Sequence, residues 1–192
     1  MCAKCGRSIS SGPYCSDCWK SNSQIDSIRS VFVFEGIIRK SVHELKYYHL
    51  RSIAILLGDY MADYFKNNNL YCDYLVPVPL HKNRLKYRGY NHSELLARRI
   101  SKSVNIPVLN DCLIRTKDNK PQARTISIGE RVLNVDNIFQ CRYELVQDKV
   151  ITLVDDVCTS GATLESCAKS LKLAGAKQVF GFTLAREVLD RS

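Results

Sequence analysis

The residues with the most obvious chemistry lie in Lys149–Thr163, KVITLVDDVCTSGAT. There an apolar run leads into two adjacent carboxylates, Asp155 and Asp156, and then into a short hydroxyl-rich loop with one glycine. Ligands of an open α/β sheet sit beyond the carboxyl ends of its strands. A loop at that place that opens a helix offers unpaired amides and the positive end of the helix dipole, which suits a phosphate monoester. Thr159, Ser160 and Thr163 add hydroxyl donors, Gly161 allows close backbone approach, and Ala162 completes the loop. Two carboxylates beside it can accept hydrogen bonds from the diol of a ribose. Taken one at a time, the same residues also read as solvated aspartates at a strand end and a capped helix; their combination is what points to a sugar phosphate.

A second group occupies Leu75–Asn91, LVPVPLHKNRLKYRGYN, where basic side chains alternate with tyrosines and end at Gly89. Arg84 and Arg88 can grip phosphate oxygens through paired N–H groups, Lys86 adds a point charge, and Gly89 lets amides come close, as a pyrophosphate requires. The same interleaving of cations and rings suits single-stranded nucleic acid, whose bases stack while its phosphates pair. A solvated surface loop is the plainer alternative.

A third group is Cys2-x2-Cys5 and Cys15-x2-Cys18. A thiolate pair at this spacing fills two corners of a tetrahedron, and two pairs close a structural Zn²⁺ site. Gly6 allows the turn that aims amides at sulfur. Residues 1–22 hold almost no aliphatic side chains, so the segment has no core of its own and metal binding is its folding energy. Two disulfides are the alternative, one that a reducing compartment disfavours. Cys72, Cys112, Cys141, Cys158 and Cys167 lack ligand spacing and read as small buried hydrophobes.

The elements that must position these groups follow from periodicity and propensity. Strands are predicted over Ser30–Phe34, Tyr74–Val78, Cys112–Arg115, Lys149–Val154 and Gln178–Ala185. Helices are predicted from Ile37 through Leu45, over Ser52–Phe65, over Asn91–Val104, and around Leu164–Leu171 with Gly175 beyond its end. Thr116–Glu130 is long, polar and poor in apolar anchors, the kind of loop that serves function. Alternating strands and helices predict an α/β domain over 23–192 with a mostly parallel sheet, preceded by the metal module over 1–22.

The 192 residues suffice for one such domain and an appendage, and their net charge is +9. A Zn²⁺ on four thiolates would leave about +7. That excess fits a polyphosphate or nucleic-acid partner and equally a solvated basic surface. No apolar run approaches the ~18–20 residues of a membrane span, and the first residues carry no apolar secretory core, so a cytoplasmic location is expected.

The Lys149–Thr163 segment resembles the phosphoribosyl pyrophosphate (PRPP) motif of the type I phosphoribosyltransferases. The resemblance implies that Asp155 and Asp156 meet the ribose hydroxyls and that Thr159–Thr163 (Thr159, Ser160, Gly161, Ala162, Thr163) cradles the 5′-phosphate. Purine-salvage members carry an Asp where this chain has Thr159, which lowers the odds of purine salvage. The Leu75–Asn91 segment, with the cysteine pairs and the PRPP motif, resembles the ComF family over nearly the whole chain. Arg84, Lys86, Arg88 and Gly89 then stand for the pyrophosphate site. Gln122, Arg124 and Arg131 would belong to a flexible loop, with Arg115, Asn134 and Phe139 at matching positions. His92 departs from the family's usual Gln, and the Gln122–Arg131 interval is about one residue longer than usual. The resemblance implies a type I phosphoribosyltransferase fold with a small N-terminal four-cysteine zinc ribbon. It implies structural Zn²⁺, Mg²⁺ with PRPP or a phosphoribosyl nucleotide, and a role in DNA uptake during natural transformation beside other DNA-uptake proteins. It also implies pentosyl transfer to an acceptor that the sequence does not name; a single-stranded DNA-binding protein with a regulatory or vestigial PRPP site is the alternative.

Overall fold

The computed structural model describes residues 1–47, 51–116, 138–141 and 146–188. In chain order the elements are α1 (Ser16–Lys20), β1 (Ser27–Val33), α2 (Gly36–Tyr47), α3 (Ile53–Asn67), β2 (Tyr74–Pro77), α4 (Lys82–Arg88) and α5 (His92–Val104). They continue with β3 (Leu113–Arg115), β4 (Phe139–Cys141), β5 (Val150–Cys158), α6 (Ala162–Leu173) and β6 (Gln178–Arg186). Four strands form a fully parallel sheet in the order β1-β6-β5-β2, and β3 and β4 pair antiparallel beside it.

The central strands are apolar almost throughout because both faces are covered. On one face α6 lays Leu164, Cys167, Ala168 and Leu171 over Ile151, Leu153 and Val179. On the other, α3 and α5 pack Leu57, Met61, Phe65, Leu96 and Ile100 against Val154, Phe182 and Leu184. α3 and α5 approach closely at Gly58, where a Cβ would lie 2.6 Å from Arg99 Cβ, and Arg99 Nε donates to Asp59 Oδ1 at 2.6 Å beside that contact. The expected α/β domain with a parallel sheet flanked by helices is thus present.

Several boundaries differ from the sequence reading. β1 begins at Ser27 rather than Ser30, because β6 offers it partners from Phe180 onward. β5 does not end at Val154: β6 pairs with it from Val150↔Gln178 through Cys158↔Arg186, so Asp155 and Asp156 lie inside the strand. Lys82–Arg88 is a short helix rather than a loop. His81 Nδ1 accepts from Asn83 N at 3.3 Å, and Gly89, in the left-handed conformation at φ 72°, closes it by donating N–H to Leu85 O at 2.7 Å. Gly89 therefore serves as a helix cap. Cys72, Cys112, Cys158 and Cys167 are buried as expected; Cys141 is half-buried, with its Sγ 3.7 Å from that of Cys112.

Candidate functional site

The carboxyl end of β5 is the chemical centre. Asn91 fixes what faces it: its Nδ2 donates to Val78 O at the end of β2 (3.0 Å), and its Oδ1 accepts from Ser93 N (3.1 Å), capping α5. The first turn of α5 is thereby held against β5. Ser93 Oγ donates to Asp155 Oδ1 at 2.9 Å. His92 Nε2 and Lys46 Nζ, the latter from the last turn of α2, both lie 2.8 Å from Asp156 Oδ2. These are charge contacts at close range rather than well-aimed hydrogen bonds. Tyr90 anchors the end of α2 by donating its hydroxyl to Leu45 O.

The two carboxylates divide their work. Burial pushes the Asp155 carboxyl up to about 6, and the negative charge of Asp156 adds to this. Burial opposes ionisation of Asp156 as well, but the attraction of His92 and Lys46 outweighs it and holds that carboxyl well below the usual range. Asp156 is 4% exposed and its charge is met from within the protein. Asp155 is half-buried and keeps an open side. His92, Asp155 and Asp156 bring their polar atoms within 4.8 Å of one another.

Beyond β5 the chain turns through Thr159 and Ser160, both exposed, to Gly161. Gly161 has φ 85°, a conformation that glycine adopts without strain, and α6 starts at the next residue with no side-chain hydrogen bond capping it. Ser160 Oγ accepts from Ala162 N only at 3.4 Å. The loop therefore presents exposed amides and hydroxyls at the positive end of a twelve-residue helix.

The basic helix α4 joins this centre at one residue. Arg88, half-buried, places Nη1 3.5 Å from His92 Nδ1 and its guanidinium 5.2 Å from the centre of the Tyr47 ring. A chain Arg88, His92, Asp156 thus links α4 to β5. Arg84 is half-buried on the same helix, and Lys86 is exposed. Gln122, Arg124, Arg131 and Asn134 lie outside the described residues. Arg115 stacks 5.4 Å from the centre of the Phe139 ring, its cross-strand partner on the β3–β4 ladder.

At the other end of the chain, Cys2, Cys5, Cys15 and Cys18 bring their sulfurs within 4.8 Å of one another, and Cys5 Sγ lies 3.8 Å from Cys15 Sγ. Zn–S bonds of ~2.3 Å in a tetrahedron set sulfurs about 3.8 Å apart, so the set fits a four-coordinate metal ion. The amides of Cys5, Cys15 and Lys4 aim at Cys2 sulfur and bring that thiol down to about 6 against its burial. Burial and the neighbouring sulfurs push Cys18 up, an electrostatic conflict that a bound cation relieves. The Gly6 amide donates to Cys2 O at 3.0 Å rather than to sulfur, so the sulfur-directed amides come from its neighbours. The module is tied to the sheet by Ile28 N donating to Lys4 O (2.6 Å) and Arg186 Nη2 donating to Cys5 O (2.5 Å). Beside it, a cavity of about 450 Å³ is lined by residues including Lys4, Tyr14, Trp19 and Asp26.

Sequence reasoning missed Lys46, Ser93 and Arg186 and left His92 as an unexplained departure. A lysine in the last turn of a helix ordinarily reads as a favourable dipole partner; only the docking of α2 on β5 brings its ammonium to Asp156.

No family model matches this chain. It is 31% identical over 198 residues to competence protein ComFC of Bacillus subtilis, covering 97% of this chain and 78% of that protein. It is 28% identical over 207 residues to competence protein F of Haemophilus influenzae, covering 97% and 90%. It is also 28% identical over 193 residues to the DNA utilization protein YhgH of Escherichia coli K12, covering 97% and 84%. Among solved structures, the chain is similar to the glutamine PRPP amidotransferase from B. subtilis complexed with ADP and GMP, at TM-score 0.48 and 21% identity. It spans 26% of that chain and 69% of its own length there. It is also similar to the purine phosphoribosyltransferase from Pyrococcus horikoshii Ot3, at TM-score 0.42 and 18% identity, over 71% of this chain and 89% of that one. Near-full-length identity to ComFC, with four clustered cysteines and the Asp155–Thr163 segment at a parallel strand end, leads to one conclusion: the chain belongs to the ComF family.

Proposed function

We propose that the protein binds PRPP with Mg²⁺ at the carboxyl end of β5 and serves DNA uptake, as the names of its curated relatives suggest. One observation carries the reading: an open-sided carboxylate, Asp155, stands beside an uncapped helix N-terminus, while a basic helix reaches the same centre through Arg88 and His92. In this reading Asp155 meets the ribose hydroxyls, and Asp156, paired in charge with Lys46 and His92, holds the pocket's charge in place. Thr159–Thr163 takes the 5′-phosphate, and Arg84, Lys86 and Arg88 face the pyrophosphate. Gln122, Arg124 and Arg131 would close over the ligand. Mg²⁺ would be held mainly by ligand oxygens and water.

Transfer would break the bond from the anomeric carbon to pyrophosphate, which leaves with the electron pair, as an acceptor nucleophile forms the new bond. The acceptor is open. Residues 1–22 form the zinc module and 23–192 the ligand-binding domain, in a protein working in the cytoplasm. Among the described residues no helix is long and apolar enough to cross a membrane.

The test is calorimetric titration of zinc-loaded protein with PRPP and Mg²⁺, for wild type and Asp155→Asn. Saturable binding that the substitution abolishes supports the reading, and absence of binding by wild type refutes it. A second reading, single-stranded DNA binding, is favoured by the Tyr14 and Trp19 rings on the zinc module, 44% and 74% exposed with centroids 6.2 Å apart. It requires affinity that falls steeply with salt.

A further inference from the structure

The cysteine module and the phosphate loop are joined by a set of direct contacts. Glu165, in the first turn of α6, directs its carboxylate onto the linker that leaves the module. Its Oε2 accepts from Ser23 Oγ (2.5 Å) and Ile25 N (3.3 Å), and its Oε1 accepts from Gln24 N (2.6 Å). Ser23 follows closely on α1, the short helix that carries Cys18. From the other metal-binding pair, Gly6 lies flat on the backbone of Ile28, where a Cβ would stand 2.8 Å from Ile28 O. The Ile28 side chain in turn reaches the phosphate loop, its Cδ1 3.5 Å from where a Cβ on Gly161 would be. A third tie is Arg186, whose guanidinium holds Cys5 O while its backbone pairs with Cys158, the last residue of β5.

We propose that Glu165 is a positioning residue that couples the metal centre to the phosphate loop, so that filling either site strengthens the other. The inference rests on the reading of Thr159–Thr163 as a phosphate cradle. Its physical basis is charge. With the module folded on its metal, three donors hold the Glu165 carboxylate aside. With the metal gone, a segment that lacks a core loses its fold, and the donors go with it. A loose carboxylate in the first turn of α6 then competes with an incoming phosphate for the same helix end and repels it. Coupling of two binding equilibria is reciprocal, so phosphate-site occupancy must in turn tighten metal binding by the same factor.

The experiment measures the zinc affinity of the full chain by equilibrium competition with a chromophoric chelator, with and without saturating PRPP and Mg²⁺. Wild type should bind zinc about fivefold or more tightly when PRPP is bound, the lower end of ordinary couplings. Asp155→Asn, which should not bind PRPP, controls for chelation of zinc by the ligand itself and should show no tightening. Glu165→Gln keeps all four cysteines and should bind zinc with an affinity indifferent to PRPP, whereas a purely structural Glu165 would leave the PRPP effect intact. If calorimetry shows PRPP bound to wild type while zinc affinity stays unchanged, the coupling is overturned and the PRPP reading stands. If PRPP does not bind at all, both fall. Should Glu165→Gln not fold, a wild-type zinc affinity that PRPP leaves unchanged still overturns the proposal.

Discussion

Asparagine at 155 should make the protein more stable while removing its proposed ligand contact. Burial, with the charge of Asp156, holds the Asp155 carboxyl up at about 6 in the folded chain, against ~3.9 for an aspartate in an unfolded one. A folded-state value raised above the unfolded one gives stability that is full below pH ~4 and is lost as pH rises through about 6. At pH 7 the ionised carboxylate therefore costs up to about 3 kcal/mol, at 1.36 kcal/mol per decade, and the open side of Asp155 brings the expected figure to about 1–3 kcal/mol. Asparagine can keep the acceptor that Ser93 Oγ uses and sheds the charge. Thermal unfolding should show Asp155→Asn melting about 3–10 °C above wild type at pH 7–8, with the gap closing toward pH 4. Its neighbour should behave oppositely. Asp156→Asn removes the anion between Lys46 and His92 and should cost about 3–5 kcal/mol at neutral pH. Because the Asp156 carboxyl is held low, that cost should fade only as pH falls below ~4. A destabilised Asp155→Asn at pH 7, or a gap that does not vary with pH, would refute this division between the two acids.

Lys46→Met leaves Asp156 with His92 alone and should lower stability by about 1–3 kcal/mol in urea titrations. Gly6→Ala sets a Cβ 2.8 Å from Ile28 O at a φ of 72°; it should loosen the module, seen as faster zinc loss with all four cysteines intact. Chelation of the metal should open residues 1–22 to trypsin at Lys4, Arg7 and Lys20 and leave the sheet folded, which digestion followed by mass spectrometry would read. Arg88→Ala should weaken PRPP binding about tenfold in calorimetry through loss of charge-assisted contacts.

Much of this was readable in one dimension because it depends on local spacing. The Cys-x2-Cys pairs fold a knuckle from neighbouring residues, so their meeting as a cluster followed from sequence once both pairs were counted. The apolar run into Asp155-Asp156 and the small loop ahead of α6 carry their geometry in adjacent residues, as does the helical spacing from Leu164 to Leu171. Tertiary structure decided the rest. Strand length beyond Val154 depends on β6, whose residues pair with β5 from 28 positions later, as Asp155 with Thr183 and Cys158 with Arg186, and supply the hydrogen bonds. Alternation along a strand sends neighbouring side chains to different surroundings, but which acid stays half-buried and which is buried between two basic partners depends on the ends of α2 and α5 lying there with Lys46, His92 and Ser93. Glu165 reads from sequence as an acid in a helix's first turn. That its three donors come from the linker of the cysteine module is set by how a segment 140 residues earlier packs against α6. Charge and hydrogen bonding act through space over a few ångströms, and sequence spacing reports that distance only within a single turn, strand or helix.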